Sequence, residues 1–334
     1  MKISNKKILV AGGGGFIGGH LTKKLLEYGN ILIVADIKPK KNWFQIFSNA
    51  KNYVCDLKDY NSTLKLTKNI DYVFNMACNM GGMGFIENNK AECMISVLIN
   101  TNLLRASVKN KVKNFFFSSS ACAYNTLKQN KSFIKGLKEE DAYPAYPEDG
   151  YGWEKLFSER MCRHFTEDFG LDTRVARYHN VYGPLGTFDG GREKAPAALC
   201  RKVADKVINN KKFVEIWGDG NQTRSFLYID DCIEGTLRLF NSNYHEPLNI
   251  GSDQQVSINQ MIKILENISG TKVNKKYLLN MPKGVRGRSS NNDQAYKVLK
   301  WRYKITLEEG LEKTYNWIFE QLINKKNSNK FIYN

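Results

Sequence analysis

The chain has 334 residues, a hydrophobic content of 42% and a formal net charge of +17 at pH 7. This length can enclose one large core or two modest ones, and no apolar run approaches the roughly 20 residues that cross a bilayer. The charge permits nucleic-acid binding, but the lysines are spread along the chain, which favours a small anionic partner over nucleic acid or a membrane.

The seven cysteines are scattered and show no CxxC spacing. An odd number without that spacing indicates reduced thiols in the cytoplasm, not a disulfide framework or a zinc site. The N-terminus also lacks the apolar stretch and small-residue cleavage site of a secretion signal. We therefore expect a cytoplasmic protein that binds no metal.

Short apolar segments alternate with amphipathic ones through the first half of the chain. Strands are expected at Lys7–Ala11, Ile31–Ala35, Tyr53–Val54, Asp71–Met76, Asn114–Ser118 and Thr173–Arg177. Helices are expected where apolar residues recur at helical spacing, at Phe16–Tyr28, Ile86–Val108 and Tyr151–Phe169. The alternation predicts a Rossmann-type α/β fold, a doubly wound parallel sheet with helices on both faces.

Past Asn180 glycines and prolines cluster and the expected strands become shorter. These changes predict a smaller, discontinuous α/β lobe of about 181–223 plus 251–324, beside a first domain of 1–180 plus about 224–250. Three further elements and a polar tail are expected, at about Asp230–Phe240, Leu248–Ile250, Thr306–Asn324 and 325–334.

A glycine-rich turn follows the first strand, where Val10–Gly18 reads VAGGGGFIG. Such glycines let the chain reverse tightly, bring the backbone close to a diphosphate and pack the next helix against the strand. The helix N-terminus then faces the phosphates with free N–H groups. The expected dinucleotide contacts are Gly12, Gly14, Gly15, Phe16, Ile17 and Gly18.

An aspartate, Asp36, stands at the end of the second strand. A carboxylate there accepts hydrogen bonds from the adenosine ribose and repels a 2′-phosphate, which favours NAD. Lys38, Lys40 and Lys41 are close by in the sequence and leave NADP open. The first domain is therefore expected to bind NAD, and the second lobe the substrate.

Tyr151 and Lys155 are four residues apart and lie on one face of the expected helix. A free phenol has a pKa near about 10, and the ammonium of Lys155 together with a cationic nicotinamide would favour the phenolate. Lys155 can also bind the cofactor ribose. A tyrosine that moves a proton beside a nicotinamide is thus expected.

With the glycine turn and the serines Ser118–Ser120, this pair resembles the extended short-chain dehydrogenase/reductase family. The resemblance implies that Ser120 hydrogen-bonds the reacting sugar hydroxyl, and that Asp56 and Leu57 bracket the adenine. Cys122 lies at the same rim, where a thiol can carry a proton to or from carbon. An isolated cysteine is equally often a small buried apolar residue.

Six further segments occur in order, and the set is similar to the GDP-mannose 3,5-epimerase family over essentially the whole chain. They are Asn79–Ile86, Ser120–Tyr124, Tyr178–Pro184, Gly190–Ala198, Trp217–Phe226 and Gly284–Ser289. The resemblance implies oxidation of a GDP-sugar at C4 by bound NAD, epimerisation at C3 and C5, and reduction of the ketone. Cys122 and Lys194 would transfer the ring protons, and Tyr151 would be the base for the C4 hydroxyl. Arg192 and Lys155 could help to lower the pKa of Lys194.

The resemblance also implies a substrate site. Arg224, Arg286 and Arg288 are the expected diphosphate clamp, since guanidinium binds phosphate bidentately. Gly81 and Gly82 would leave room for the sugar ring. The remaining expected contacts are Ser120, Ala121, Cys122, Asn180, Glu193, Lys194, Ala195, Lys202 and Gln222.

Two positions depart from the family pattern, because Asn79 stands where an aspartate is expected and Asn125 where a proline is expected. The exact sugar, a mannose or a related hexose or heptose, therefore stays open. A GDP-L-fucose synthase-like epimerase/reductase is the alternative enzyme, and a non-enzymatic NAD-binding regulator is disfavoured because the whole catalytic set is present. By analogy, the expected helices 86–108 and 151–169 build a homodimer interface.

Overall fold

The computed structural model of the protein describes residues 3–328. In chain order the strands are β1 Lys7–Ala11, β2 Ile31–Asp36, β3 Lys51–Val54, β4 Tyr72–Asn75, β5 Asn114–Ser120, β6 Asp172–Tyr178, β7 Val181–Tyr182, β8 Val214–Trp217, β9 Thr223–Ser225, β10 Leu227–Tyr228, β11 Leu248–Ile250, β12 Gln255–Ser257, β13 Lys275–Leu278 and β14 Gly287–Arg288. The helices are α1 Phe16–Glu27, α2 Tyr60–Leu66, α3 Met83–Asn88, α4 Lys90–Met94, α5 Val97–Lys109, α6 Asp149–Phe169, α7 Ala195–Asn209, α8 Ile229–Asn241, α9 Ile258–Ser269, α10 Asp293–Leu299 and α11 Leu307–Ser328.

Seven strands form one parallel sheet in the order β11-β6-β5-β4-β1-β2-β3. The chain reverses its direction of winding between β1 and β4, and ligands of doubly wound sheets bind at the carboxyl ends of strands at such a point. The predicted Rossmann-type fold is confirmed. The carboxyl ends of β1, β4 and β5 therefore position the site.

Helices cover both faces of this sheet, and consecutive residues of its strands point to opposite faces. Phe116 of β5 packs in one core with α1 and α8 residues such as Leu21 and Phe240. Its neighbours Phe115 and Phe117 pack in a second core that includes residues of α5 and α6. Burial on both faces explains why three phenylalanines in succession form a central strand.

The predicted helix Ile86–Val108 is wrong as one element, because the chain forms α3, α4 and α5 there. The side-chain amides of Asn88 and Asn89 donate to the carbonyls of Gly84 and Phe85, at 2.7 and 2.8 Å. Asn89 itself has φ −134° and ψ 47°, outside the helical region. The amides satisfy carbonyls at the end of α3, so the helix stops although the apolar spacing continues.

The second half of the chain builds three small sheets, ordered β12-β9-β14, β13-β8 and β10-β7. The predicted domain boundary at 223/224 falls inside β9, whose partners β12 and β14 both belong to the second half. Helix α11 packs against α7 and α9 and continues through Ser328, so residues 325–328 are helical and not a frayed tail. Residues 329–334 of the predicted tail lie outside the described residues. No helix between residues 3 and 328 is long and apolar enough to span a membrane.

Candidate active site

The glycine turn after β1 has no space for side chains. Gly12 has φ +79°, and a Cβ there would lie 2.7 Å from the backbone nitrogen of Ala77. A Cβ on Gly18 would lie 2.3 Å from the carbonyl oxygen of Gly12. Gly15 is the N-cap of α1 and supplies no side-chain cap, so the N–H groups of the first turn keep their capacity to bind an anion. This is a cradle for a diphosphate.

Other predicted cofactor residues at this turn contribute in different ways. A Cβ on Gly14 would lie 2.5 Å from the Trp43 ring, which covers the turn. The side chains of Phe16 and Ile17 pack against the core, which leaves their backbone for a cofactor. The Lys38 ammonium donates to the Gly14 carbonyl at 2.7 Å, and burial lowers its pKa.

Asp36 ends β2 and is only 7% exposed. One carboxylate oxygen accepts from the Lys38 backbone N–H at 3.0 Å. Asp56 is more exposed, and accepts from the Lys58 backbone at 2.9 Å. The Leu57 side chain packs in the core beside α5, so only its backbone is left for an adenine.

Tyr151 and Lys155 are buried at the carboxyl end of β5, as the spacing predicts. The phenol of Tyr151 lies near the Ser120 hydroxyl and the Cys78 thiol. The Lys155 ammonium is 1% exposed and lies 3.4 Å from Glu154 Oε2. It makes no hydrogen bond of good geometry within residues 3–328. A buried ammonium with donors to spare fits the ribose hydroxyls of a nicotinamide cofactor.

Burial raises the pKa of Tyr151 well above its ordinary value, and the charges of Cys78, Cys122 and Glu154 add to that rise. Glu154 stands directly beside Lys155 and offsets part of the ammonium charge. That Lys155 together with a cationic nicotinamide favours the phenolate stays a prediction.

Cys122 lies in the turn after β5, within a buried cluster that also contains Tyr151. Its backbone N–H donates to the Ser120 hydroxyl at 3.2 Å. Arg288 of β14 places Nη1 3.3 Å from the Cys122 sulfur and Nη2 2.9 Å from Glu148 Oε2. The thiol is thus a member of a buried polar group and not an isolated core residue. Arg288 faces this thiol, which corrects its expected role in the diphosphate clamp.

Lys194 is half-buried at the N-cap of α7. Burial lowers the pKa of its ammonium, and the Arg288 charge lowers it further, whereas Cys122 and Cys78 partly oppose the change. The predicted direction is correct, but its cause is burial and Arg288. Arg192 instead lies 3.9 Å from the Phe85 ring centroid and donates to Asn79 Oδ1 at 3.0 Å.

The segment that carries Lys194 is seated on Gly82, the N-cap of α3. The Gly82 N–H donates to the Arg192 carbonyl at 3.0 Å, and a Cβ there would lie 2.4 Å from the Glu193 carbonyl oxygen. At Gly81 a Cβ would lie 2.7 Å from the Phe85 side chain. Protein atoms therefore occupy the space that we expected these two glycines to leave for a sugar ring. Gly82 lets the loop that carries Glu193 approach closely, and Gly81 makes room for the Phe85 side chain of α3.

The three arginines of the expected clamp separate in the structure. Arg224 and Arg288 are register partners on β9 and β14. Arg224 is buried, donates to the carbonyls of Thr223 and Lys283, and burial lowers its pKa to about 10. Arg286 forms a two-pronged ion pair with Asp219, at 2.8 and 2.9 Å, at the surface. Of these three arginines, Arg224 is the one whose guanidinium makes no hydrogen bond to a carboxylate.

The remaining predicted substrate residues are mostly held by backbone groups. Asn180 donates to the Ser225 carbonyl at 3.0 Å, and Lys202 donates to the Glu215 carbonyl at 2.8 Å. Gln222 donates to the Trp217 carbonyl, while its buried Oε1 has no hydrogen-bond partner within residues 3–328. The other predicted members are Glu193, which accepts from the Gly191 N–H and from Arg201, the first α7 residue Ala195, and the buried Ala121 beside Cys122.

Sequence reasoning missed three residues of the site. Glu148 and Glu154 each lie three residues from Tyr151 along the chain, so helical spacing places them near it. Cys78 follows β4 by three residues, at the same sheet edge as the turn after β5. A groove of about 950 Å³ runs between α3, the segment before α6 and the 279–285 loop. Its wall includes Glu148.

A family model described as the NAD dependent epimerase/dehydratase family matches residues 8–251. The chain belongs to this family. It is 44% identical over 323 residues to GDP-mannose 3,5-epimerase of Arabidopsis thaliana, covering 96% of this chain and 84% of the plant protein.

Two solved structures extend the comparison. UDP-glucose 4-epimerase from Thermotoga maritima, solved with UDP-glucose, matches with TM-score 0.85 and 28% identity over 95% of this chain and 99% of that chain. UDP-glucuronic acid 4-epimerase from Bacillus cereus, solved with its substrate and NAD, matches with TM-score 0.81 and 29% identity over 95% and 99%. The family resemblance, the epimerase class and NAD as cofactor are thereby confirmed. Within the described residues, the glycine turn and the Lys155 ammonium, which makes no hydrogen bond there, are the features that fit NAD.

Proposed function

We propose that this protein is a GDP-sugar 3,5-epimerase that acts on GDP-mannose or a closely related GDP-hexose or heptose. The observation that carries the proposal is the presence in one site of two proton carriers, a buried Cys122 beside Tyr151 and a half-buried Lys194. They come from different elements, and their charges act on one another. Inversion at carbon needs one group that takes a proton and one that returns a proton from the other face.

The glycine turn and Lys155 would hold NAD, which would supply hydride acceptance and return at C4 of the sugar. The C4 hydroxyl proton is exchanged with Tyr151, and Ser120 orients that hydroxyl. The carbonyl at C4 acidifies the C–H bonds at C3 and C5. Since burial lowers the pKa of Lys194, the neutral amine is the better acceptor of a ring proton. The Cys122 thiol, whose pKa is raised by burial and by Glu148, is the better donor.

Of the three arginines that the sequence analysis expects at the diphosphate, we keep one as the proposed substrate anchor. Arg224 is the residue we propose for the diphosphate, because its buried guanidinium has no carboxylate hydrogen bond. The unpaired carbonyl oxygen of Gln222 is available to a donor on the nucleotide or sugar. Arg286 would have to leave Asp219 to take part.

The test is incubation with GDP-mannose and a panel of other GDP-hexoses and GDP-heptoses in D₂O, followed by NMR. We expect deuterium at C3 and C5 of at least one sugar, without net formation or consumption of reduced cofactor. Cys122→Ser and Lys194→Ala should abolish the exchange, whereas the controls Cys55→Ser and Lys206→Ala should retain it. Absence of exchange in every sugar refutes the proposal, and one reduced cofactor consumed per turnover identifies an epimerase/reductase instead.

We also propose a homodimer in the cytoplasm. Helices α4, α5 and α6 pack together and expose a set of large apolar side chains, Met94, Ile95, Leu98, Trp153 and Phe157. A second copy of the same surface would cover them. The seven cysteines are free thiols, which suits a reducing compartment. Sedimentation should give a dimer for the wild type and a monomer for Leu98→Asp, and a monomeric wild type would contradict the assembly.

A further inference from the structure

Glu148 is a buried carboxylate that takes part in no proton transfer of the proposed mechanism. It is the N-cap of α6 but supplies no side-chain cap to that helix. Its backbone N–H donates to the Cys122 carbonyl at 2.9 Å, and its own carbonyl accepts from Gly152 at 2.8 Å. The backbone contacts therefore fix Glu148 against the Cys122 turn, and leave its carboxylate for another purpose.

The carboxylate points into the catalytic cluster. Oε2 accepts from Arg288 Nη2 at 2.9 Å, and the two side chains are 7% and 3% exposed. The charge of the carboxylate also acts on the Cys122 thiol and raises its pKa. Arg288 completes a triangle of side chains, because its Nη1 lies 3.3 Å from the sulfur. One guanidinium thus holds the carboxylate and the thiol on neighbouring nitrogens.

A fourth residue holds the triangle in place. Arg288 Nε donates to Gln129 Oε1 at 2.6 Å, so all three guanidinium nitrogens are engaged. At the neighbouring Gly287 a Cβ would lie 2.3 Å from the Lys131 carbonyl oxygen. β14 is therefore pressed against the segment that carries Gln129. The guanidinium has little freedom to leave the sulfur while Glu148 and Gln129 hold it.

We propose that Glu148 is a positioning residue that keeps Cys122 a protonated thiol and holds Arg288 against the sulfur. A carboxylate beside a thiol disfavours loss of the thiol proton, because the thiolate would stand next to a like charge. The same carboxylate pairs with Arg288, which stabilises the thiolate once the proton has gone to carbon. The inference deepens the proposed function, on which it rests for the role of Cys122.

Other charges also act on this sulfur or its neighbours. Those facing it are Tyr151 from α6, Arg224 from β9, Lys194 at the start of α7, Cys93 from α4 and the Ser120 hydroxyl at the end of β5. Arg224 is a cation, and Lys194 is one when it is protonated, and a cation favours the thiolate. Glu148 is the carboxylate that raises the pKa of the thiol, so its removal should lower that pKa.

The experiment is a pH titration of Cys122 alkylation by iodoacetamide, read at the Cys122 peptide by mass spectrometry in the absence of substrate. Glu148→Gln should move the midpoint down by about one pH unit or more. Glu87→Gln removes a carboxylate from the wall of the same groove without touching Cys122, and should leave the midpoint in place. Arg288→Gln should move it up.

Glu148→Gln leaves a buried guanidinium without its partner, which destabilises the fold. The double variant Glu148→Gln/Arg288→Gln removes both charges, and its midpoint should lie between those of the single variants. An unchanged or higher midpoint in folded Glu148→Gln, or a double variant that matches Arg288→Gln, overturns the inference. The titration needs no sugar, so it stays informative if the substrate proposal fails. In active protein the pH profile of C3 and C5 exchange should move with the midpoint.

Discussion

Gly82→Ala should separate the chemistry of this protein from its cofactor binding. Gly82 lies under the loop that carries Glu193 and Lys194. A methyl group there would lie 2.4 Å from the Glu193 carbonyl oxygen and 3.8 Å from the Lys194 Cα. The backbone at Gly82 has φ −69°, which alanine adopts freely. The substitution therefore acts through the contact and not through backbone strain.

The size of the effect follows from that distance. Ordinary contact of a methyl carbon with an oxygen begins near about 3.4 Å, so the loop must move by about 1 Å. A displacement of this size at a reacting group costs roughly 10²-fold in rate. Because the loop is at the surface of the site, the cost in stability should stay within about 1–3 kcal/mol. We thus expect a folded protein that binds NAD normally and exchanges C3 and C5 protons about 100-fold more slowly.

The assay is deuterium exchange by NMR, with NAD affinity measured by calorimetry on the same preparation. Gly84→Ala is the matched control, because its methyl group would meet only the edge of the Trp217 ring at 3.0 Å. That side chain can move, so exchange should remain within a few-fold of the wild type. Wild-type exchange in folded Gly82→Ala would refute the claim that this glycine positions Lys194.

Two further predictions concern Asp36 and His179. Asp36→Ala should weaken NAD binding about tenfold or more, since it removes the expected hydrogen bonds to the ribose. It should also reduce the preference for NAD over NADP. Equal NAD affinities of the variant and the wild type in a titration would contradict the role of Asp36. His179 is fully buried, its ring nitrogen lies 2.8 Å from Asn249 Oδ1, and burial lowers its pKa to about 3. Its folded pKa lies below the unfolded value, so its contribution to stability is present above about pH 6.5 and is lost as the pH falls toward 3. Between pH 6.5 and 5, urea unfolding should show that the wild type loses about 2 kcal/mol of its free energy of unfolding and that His179→Gln does not. Identical pH slopes for the two proteins would contradict this prediction.

The cofactor half of the molecule could be predicted from the sequence, because the sequence signals for its elements are local. The strand, the glycine turn, the helix and Asp36 lie within residues 7–36, and each has a direct backbone cause. Tyr151 and Lys155 were readable for the same reason, since a helix fixes their spacing. The helix Ile86–Val108 failed because asparagine side chains can cap carbonyls at positions that apolar spacing does not reveal.

The substrate half depends on contacts between distant segments, which residue type alone does not specify. Arg286 and Arg288 are two residues apart in one motif, yet one pairs with Asp219 at the surface and the other reaches Cys122. Alternation along a strand would put both side chains on one face, but β14 spans only Gly287–Arg288 and leaves Arg286 outside the strand. Gly81 and Gly82 were expected to face a sugar, and no local signal indicated that another loop fills that space.

The Cys122–Arg288 contact joins residues 166 positions apart. All strands of the central sheet precede residue 251, so the cofactor cradle can be assembled during synthesis before Arg288 exists. The sulfur acquires its cation only when β14 is added beside β9. A chain that ends before β14 can therefore form the dinucleotide turn while Cys122 still lacks the guanidinium that contacts its sulfur.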